Sequence, residues 1–268
     1  MPVVLAILIF MEILEATNPS GDIIVFDPEN HSYKVKDTNQ ILAGVTTFIG
    51  DFFPKFDADK WAPRTAKKRG TSTEEILVEW ATKAKKGRDE GHNVHEYAEA
   101  CISNQFLNGP KLPIPEPLSD RCSELFVAVD RAIAWLKTYY DFVATELIVF
   151  SPRLKLAGTI DLVMINENGL CLFDWKQNRV IKTHNPYQRA LGPLKHLEDH
   201  DFNKYSLQLN VYRRIIEEEN YYPSVDDIDM NLIHITPEGY FPMRVKPMND
   251  EVTGMLKNAE SLFPGFMD

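Results

Sequence analysis

The sequence predicts an α/β fold, in which helices flank a central mixed β-sheet and an N-terminal group of helices arches over it. Two observations favour this fold. Residues 146–175 contain three strand-like apolar runs, and residues 57–140 carry apolar side chains at helical spacing. With 268 residues and 44% hydrophobic content, the chain can fill a substantial core. No repeat or linker divides it, so we expect one domain with three parts: an extension and hairpin (1–56), a helical region (57–143) and a core (144–268).

The first 56 residues are predicted to contain an extension and a β-hairpin. Residues 2–10 are continuously apolar, but Glu12 ends this run short of the roughly 20 residues that span a bilayer. We expect a buried first strand or an extension ahead of a second start at Met11, rather than a membrane anchor; a cleaved signal peptide is the weaker alternative. Residues 23–35 are predicted to form two strands around a turn at 27–30.

Helix signals begin at residue 57. Asp57 or Asp59 can cap a helix that continues towards Lys68, and Gly70 is placed to end it.

Ser72 and Glu75 have the spacing of a capping box, which opens a long second helix. We expect Gly87 and Gly91 to break or kink that helix. The proline-rich segment 108–117 is predicted to be a loop.

The rest of the chain alternates helix and strand patterns. Residues 166–169 have the composition of a hairpin turn between the second and third strands of the core. The predicted elements are a helix over 125–140, strands over 146–151, 155–165 and 170–175, a helix over 207–216, strands over 228–235 and 240–245, and a final helix from about 249.

Charge is unevenly distributed along an acidic chain. The formal net charge is -10, yet residues 55–88 contain ten Lys/Arg against five Asp/Glu, and residues 176–195 contain five Lys/Arg and no acid. By contrast, residues 217–238 carry seven acids and no Lys/Arg. Any single basic run is about as consistent with a solvated helix face as with DNA contact. One of these basic runs precedes the candidate catalytic residues described below and the other begins at the last of them, which favours DNA as a binding partner.

The three cysteines, Cys101, Cys122 and Cys171, form no C-x-x-C pair. This spacing indicates neither a disulfide framework nor a thiolate metal site. We therefore expect a reducing compartment such as the cytosol.

Three charged residues on or next to two predicted strands carry the candidate chemistry. Asp161 ends a Gly158-x-x-Asp motif, and Asp174 and Lys176 follow across a hairpin. Residues two apart on a strand share a face, so Lys176 projects beside Asp174. Carboxylates of this kind suit hard divalent cations, which activate water for phosphodiester hydrolysis. An acid-x-Lys triplet alone is common; the preceding Gly-x-x-Asp makes this one informative.

The whole pattern resembles the PD-(D/E)XK nuclease superfamily, specifically its RecB-like branch. Gly91 and His95 match the branch's G-x-x-x-H on a helix, and Gln208 and Tyr212 match its Q-x-x-x-Y helix. All four elements occur in the expected order. The resemblance extends over residues 22–222, and the region around Phe26 to Tyr33 is similar to phage exonucleases and the mitochondrial genome maintenance exonucleases.

The resemblance implies a restriction-endonuclease-like core, a Mg²⁺ or Mn²⁺ cofactor and a set of site residues. His95, Asp161, Asp174 and the backbone carbonyl of Trp175 are expected to bind the metal, and Lys176 to assist the attacking water. Glu146 either contributes indirectly to a second metal or pairs with a basic side chain. The expected DNA contacts are Gln208, Tyr212, Tyr205, Lys60, Arg64, Lys67, Lys68 and Arg69.

By this resemblance, we expect a metal-dependent DNA exonuclease that prefers single strands with a free end and leaves 5'-phosphates. The alternatives are a structure-specific or duplex endonuclease, a non-catalytic DNA-binding recombination partner and a two-carboxylate glycosidase, which would need neither Lys176 nor His95. Three scattered cysteines disfavour the iron-sulfur cluster of some relatives. Without a phosphate-binding G-x-x-x-x-G-K-[ST] loop, any helicase motor among its replication or recombination partners would be a separate protein.

Overall fold

The computed structural model describes residues 14–27, 32–225 and 227–262. The apolar run at 2–10 and most of the predicted turn at 27–30 lie outside these ranges. The predicted α/β class is confirmed: helices flank a large mixed sheet. The described residues form nine strands, ordered β1-β2-β3-β4-β6-β7-β8-β9, with β5 paired to β6.

The N-terminal strands extend the central sheet. The predicted hairpin forms as β2 and β3, which pair antiparallel, and β4 joins the core by pairing parallel to β6. Alternating burial along β3 places Tyr33 and Val35 in a small apolar cluster beneath these strands. The elements are β1 Leu14–Thr17, β2 Ile23–Asp27, β3 Ser32–Val35, β4 Ile41–Gly44 and the short helix α1 Val45–Gly50.

Three helices separate these strands from the core: α2 Ala58–Arg69, α3 Thr73–Phe106 and α4 Asp120–Tyr139. The predicted helix ends of α2 are confirmed, because the Asp57 side chain accepts from the Lys60 amide and Gly70 ends the helix in the left-handed conformation. The Ser72–Glu75 capping box also forms.

The expectation of a break at Gly87 and Gly91 is wrong, since α3 is continuous over 34 residues. A helical glycine costs only about 1 kcal/mol relative to alanine, which a long helix tolerates.

The core consists of an antiparallel group of strands extended by a parallel crossover. Strands β5, β6 and β7 pair antiparallel in sequence, and β7 then pairs parallel with β8. β5 begins at Asp141, five residues before the predicted start. The elements are β5 Asp141–Ser151, β6 Leu156–Asn166, β7 Gly169–Lys176, the 3-10 helix Gly192–Leu194, α5 Asp201–Glu218, β8 Ile228–Thr236, β9 Gly239–Val245 and α6 Asn249–Leu262.

Helices cover both faces of this sheet. Alternation along β7 sends Leu170 and Leu172 into the apolar cluster shared with α1, α5 and α6, whereas Phe173 and Trp175 face the cluster shared with α3 and α4. Asp174 and Lys176 therefore continue the face that α5 covers. Among the described residues, none of the helices has both the length and the apolar character needed to cross a membrane.

Candidate active site

The candidate active site lies where β6 and β7 separate. Registered pairs between these strands run from Asn166↔Gly169 to Leu162↔Phe173 and end there. Asp161 and Asp174 are the next residues on each strand, so the last pair of the ladder is followed by two acidic side chains. The Trp175 amide donates to Asp161 Oδ2 at 2.8 Å, which fixes this carboxylate against the end of β7.

His95 reaches the same place from α3. Its Nε2 lies 3.1 Å from the carbonyl oxygen of Trp175, and its Nδ1 lies 3.5 Å from Asp161 Oδ2. In the tautomer with the proton on Nε2, the ring donates to that carbonyl and turns the Nδ1 lone pair towards the carboxylate. Two lone pairs that face each other in this way suit a shared cation. The expected metal contact of the Trp175 carbonyl stays a prediction, since this oxygen contacts His95.

Glu146 lies on β5, opposite Asp161 on β6. The registered pairs Thr145↔Leu162 and Leu147↔Ile160 bracket these two residues, so they occupy opposed positions. Ligand atoms of Glu146, Asp161 and His95 all lie within 4.8 Å of one another. Burial, with the Asp161 charge next in importance, raises the pKa of Glu146 well above its usual range.

The backbone of Glu146 is also unusual, with φ at 45°. This left-handed conformation is unfavourable for a residue that has a Cβ, and such conformations concentrate at functional sites.

Asp174 and Lys176 form a buried ion pair. Asp174 is 2% exposed, and its Oδ2 lies 2.6 Å from Lys176 Nζ. The Lys176 ammonium therefore compensates the charge of this buried oxygen. Burial raises the pKa of Asp174 to about 6, and nearby Lys176 only partly counters this. Burial lowers the pKa of Lys176, but the Asp174 and Asp161 charges outweigh it and raise the pKa overall.

Two side chains of α5 contact Lys176, and a third is hydrogen-bonded to one of them. Lys176 Nζ lies 4.4 Å from the ring centroid of Tyr205 and 3.5 Å from Gln208 Oε1. Gln208 Nε2 in turn donates to the Tyr212 hydroxyl at 3.2 Å. Tyr212 is only 3% exposed, so the Q-x-x-x-Y pair lies against Lys176 with its tyrosine beneath the surface.

The two motif glycines each accommodate a side chain from elsewhere in the site. A Cβ at Gly158 would lie 2.7 Å from Tyr212 Cε1 and 3.0 Å from its hydroxyl. A Cβ at Gly91 would overlap the side-chain amide of Gln177, the residue after Lys176. Both glycines therefore allow close packing between separate elements of the site.

The basic residues predicted to contact DNA include five on α2. α2 packs mainly on α3, through a small cluster around Ala62, Ala66 and Ile76. Lys60 and Arg64 lie 5.8 Å and 5.1 Å from the ring centroid of Trp61, which is itself 44% exposed. The remaining three, Lys67, Lys68 and Arg69, form the basic last turn of α2.

Sequence reasoning did not identify Glu99. It lies on α3 one turn after His95, and it is electrostatically coupled to Glu146. Burial, with the charge of Glu96 next in importance, raises the pKa of Glu99 to about 7. The i, i+4 spacing from His95 was the available signal, because residues four apart share a helix face.

Comparisons with known proteins show no family for the chain: no family model and no curated protein matches it. Among solved structures, the chain is similar to the crystal structure of SSO0001, at 14% identity and a TM-score of 0.35, over 85% of this chain and 77% of that one.

Proposed function

We propose that this protein is a divalent-metal-dependent deoxyribonuclease that hydrolyses phosphodiester bonds. The observation that carries the proposal is the convergence of five side chains from three strands and a helix: Glu146, Asp161, Asp174, Lys176 and His95. They come from separate elements, and they meet where two strands of the central sheet separate.

The donor set fits Mg²⁺ or Mn²⁺. Glu146, Asp161 and Asp174 interact electrostatically, Lys176 pairs with Asp174, and burial raises the pKa of two of the three carboxylates, Glu146 and Asp174. Such a cluster is unfavourable when fully ionised, and a divalent cation would relieve it. Asp161, Glu146 and His95 would hold the ion, with Asp174 beside them; carboxylate oxygens with one imidazole suit these metals. When bound, the metal supplies a more acidic water and neutralises a phosphate oxygen.

Lys176 would act as a fixed positive charge beside the scissile phosphate. The Asp174 and Asp161 charges raise its pKa, which favours the protonated ammonium as a hydrogen-bond donor. Asp174, Tyr205 and Gln208 hold it in place. A preorganised charge of this kind stabilises the negative charge that develops during hydrolysis.

Gln208 and Tyr212 are proposed to act through Lys176. The hydroxyl of Tyr212 is buried, and burial raises its pKa well above the usual range, so it stays a neutral phenol. It accepts from Gln208, whose carbonyl oxygen faces Lys176. Direct DNA contact by Tyr212 stays a prediction.

The DNA strand is proposed to reach the centre past α2 and the exposed first half of α3. This pair of helices carries most of the ten Lys/Arg of residues 55–88, although the chain has a net charge of -10. Basic side chains there would contact phosphates and bind DNA without reading its sequence. If the helices arch over the carboxylates, a strand must enter by a free end, which makes the activity exonucleolytic and favours single strands.

The endonuclease alternative uses the same centre with lateral access. In the structure, α3 is the element on which α2 mainly packs. This packing is also compatible with an open approach to the site from the side. The two activities differ in their substrates, because a closed circle has no end to thread.

End-labelled linear DNA and closed circles, each single- and double-stranded, test the proposal when incubated with Mg²⁺, Mn²⁺ or EDTA. We expect linear single strands to be shortened from one end in either metal, circles to persist, and EDTA to stop the reaction. Nicking of single-stranded circles at an enzyme level that just digests linear strands would establish the endonuclease. No cleavage of any substrate in either metal would refute the nuclease.

A further inference from the structure

The placement of His95 depends on how α3 docks against β7. His95 is the only proposed metal ligand on a helix; Glu146, Asp161 and Asp174 are on paired strands. Strand pairing fixes the carboxylates relative to one another, whereas a helix can slide or rotate against a sheet. To hold the His95 imidazole 3.5 Å from Asp161, other contacts must fix the register of α3 against β7.

The two elements contact each other at two matched levels. His95 contacts the carbonyl of Trp175, and the Gln177 side chain lies in the space that Gly91 leaves open. Four residues of helix rise about 6 Å. Two residues of extended chain span about 6.6 Å. The spacing of G-x-x-x-H on α3 therefore matches the spacing of the two contacts at the end of β7.

A partly buried ion pair locks this arrangement, and we name it the Glu90–Arg121 brace. Glu90, next to Gly91 on α3, is 7% exposed. Its Oε2 accepts from Arg121 Nη1 of α4 at 3.3 Å, and its Oε1 accepts from Ser119 Oγ at 2.8 Å. The other guanidinium nitrogen, Nη2, donates to the backbone carbonyl of Gln177 at 2.5 Å.

The brace thus connects α3, α4 and the end of β7 through one guanidinium. A buried ion pair often adds little net stability over apolar side chains of similar size, so stability is a weak reason for this one. A planar guanidinium with fixed donor directions does specify relative position.

We propose that Glu90 and Arg121 are positioning residues: they set the register of α3 against β7 and so place His95 for divalent cation binding. This inference rests on the proposed metal site. It predicts that the loss of the brace lowers cation affinity even in a protein that remains stable.

Mn²⁺ binding to the full-length chain without DNA, measured by calorimetry, tests the proposal beside urea unfolding in EDTA. Arg121→Met leaves the buried Glu90 with only the exposed Lys86, whose Nζ lies 3.8 Å from its Oε1, as a nearby cation, so the variant should be destabilised and should bind Mn²⁺ more weakly. The double variant Glu90→Gln/Arg121→Met removes both charges and should recover stability. Its Mn²⁺ affinity should stay about 10–100-fold below wild type, the usual effect of losing support for a metal ligand.

The control replaces a different Arg–carboxylate pair, with Arg244→Met/Asp229→Asn. Arg244 Nη2 lies 2.7 Å from Asp229 Oδ1, between β9 and β8, on exposed side chains. Mn²⁺ affinity should stay within about twofold of wild type there, because pairs of this kind contribute little.

A merely structural brace gives a different result: Mn²⁺ affinity would follow stability and recover in the double variant, which overturns the proposal. If the double variant stays as unstable as Arg121→Met, Arg121→Lys replaces it and is measured at low temperature. Lysine keeps the positive charge but cannot reach both Glu90 and the Gln177 carbonyl. Wild-type Mn²⁺ affinity in Arg121→Lys would also overturn the proposal. If wild type itself binds no Mn²⁺, the proposed function fails together with the positioning role. If wild type binds Mn²⁺ and the variants bind it equally well, only the positioning role fails.

Discussion

Replacing Glu146 with glycine is predicted to stabilise the metal-free protein and to remove its response to divalent cations. Glu146 has φ at 45°, a conformation that costs a residue with a Cβ about 1–2 kcal/mol. The extra freedom of glycine in the unfolded chain offsets roughly 0.5–1 kcal/mol of that gain. The backbone change alone should therefore stabilise the protein by up to about 1.5 kcal/mol.

The carboxylate adds a term that depends on pH. Burial and the Asp161 charge raise the pKa of Glu146 above its ordinary 4.5. The folded state then holds the proton more tightly than the unfolded chain, so this group favours folding at low pH and loses that effect as pH rises through the raised pKa. In EDTA, wild-type stability should fall above pH 4.5 with a slope of up to about 1.4 kcal/mol per pH unit from this group.

Urea unfolding in EDTA between pH 5 and 8 separates the two terms. Glu146→Gln keeps the backbone and removes the charge, so its advantage over wild type should grow with pH. Glu146→Gly should exceed Glu146→Gln by the backbone term at every pH. Lys155→Gly, at another position with φ at 54°, should show the backbone term without the pH dependence. An advantage of Glu146→Gln over wild type that does not grow with pH would refute the charge argument, and Glu146→Gly no more stable than Glu146→Ala, which loses a similar volume but keeps the Cβ, would refute the strain argument.

Three further outcomes are expected. Lys176→Ala should reduce single-turnover hydrolysis far more than DNA binding, because one lysine is a small part of a phosphate-contacting surface; equal losses in both assays would make it a binding residue. Gly158→Ala should cost about 1–3 kcal/mol in urea unfolding, because the added Cβ overlaps the buried ring of Tyr212. The same change should cost far less in a Tyr212→Leu background, and an equal cost there would remove the assigned contact; Gly50→Ala, where nothing lies within 4 Å, is the control. Mn²⁺ at about 100 times its Kd should stabilise wild type by about 2.7 kcal/mol, and an Asp174→Asn variant should respond much less; an undiminished response would exclude Asp174 from the cation site.

Local signals allowed much of the helical structure to be predicted. The Asp57 cap, the Ser72–Glu75 capping box and the Gly70 terminus depend on residues within one turn, so the sequence contains all the information they require. The short elements β4 and α1 were missed. Their four and six residues carry too little periodicity, and β4 is defined by its pairing with β6 far along the chain.

The wrong prediction of a break in α3 has a long-range cause. A helical pattern with glycines at 87 and 91 weakens any local helix signal. Gly91 is instead explained by the side chain of Gln177, which packs against it from the end of β7. Nothing within α3 indicates that contact.

The candidate site also has features that the sequence predicts and features that it does not. Motif order and strand alternation were enough to bring Asp174 beside Lys176, and the same motifs named Asp161 and His95, which also meet there. The left-handed backbone of Glu146 and the Glu90–Arg121 brace could not be predicted, because both depend on how separate elements pack.

Cleavage of linear single-stranded DNA by wild type and by Asp161→Asn, purified side by side, tests the central claim most directly. Asn keeps the volume of the side chain and removes one charged ligand, so the variant should stay folded in urea unfolding. We predict that wild type cleaves in Mg²⁺ and stops in EDTA, and that Asp161→Asn shows no cleavage in either. Wild-type turnover by folded Asp161→Asn, or cleavage by wild type in EDTA, would contradict a metal-dependent centre built on Asp161.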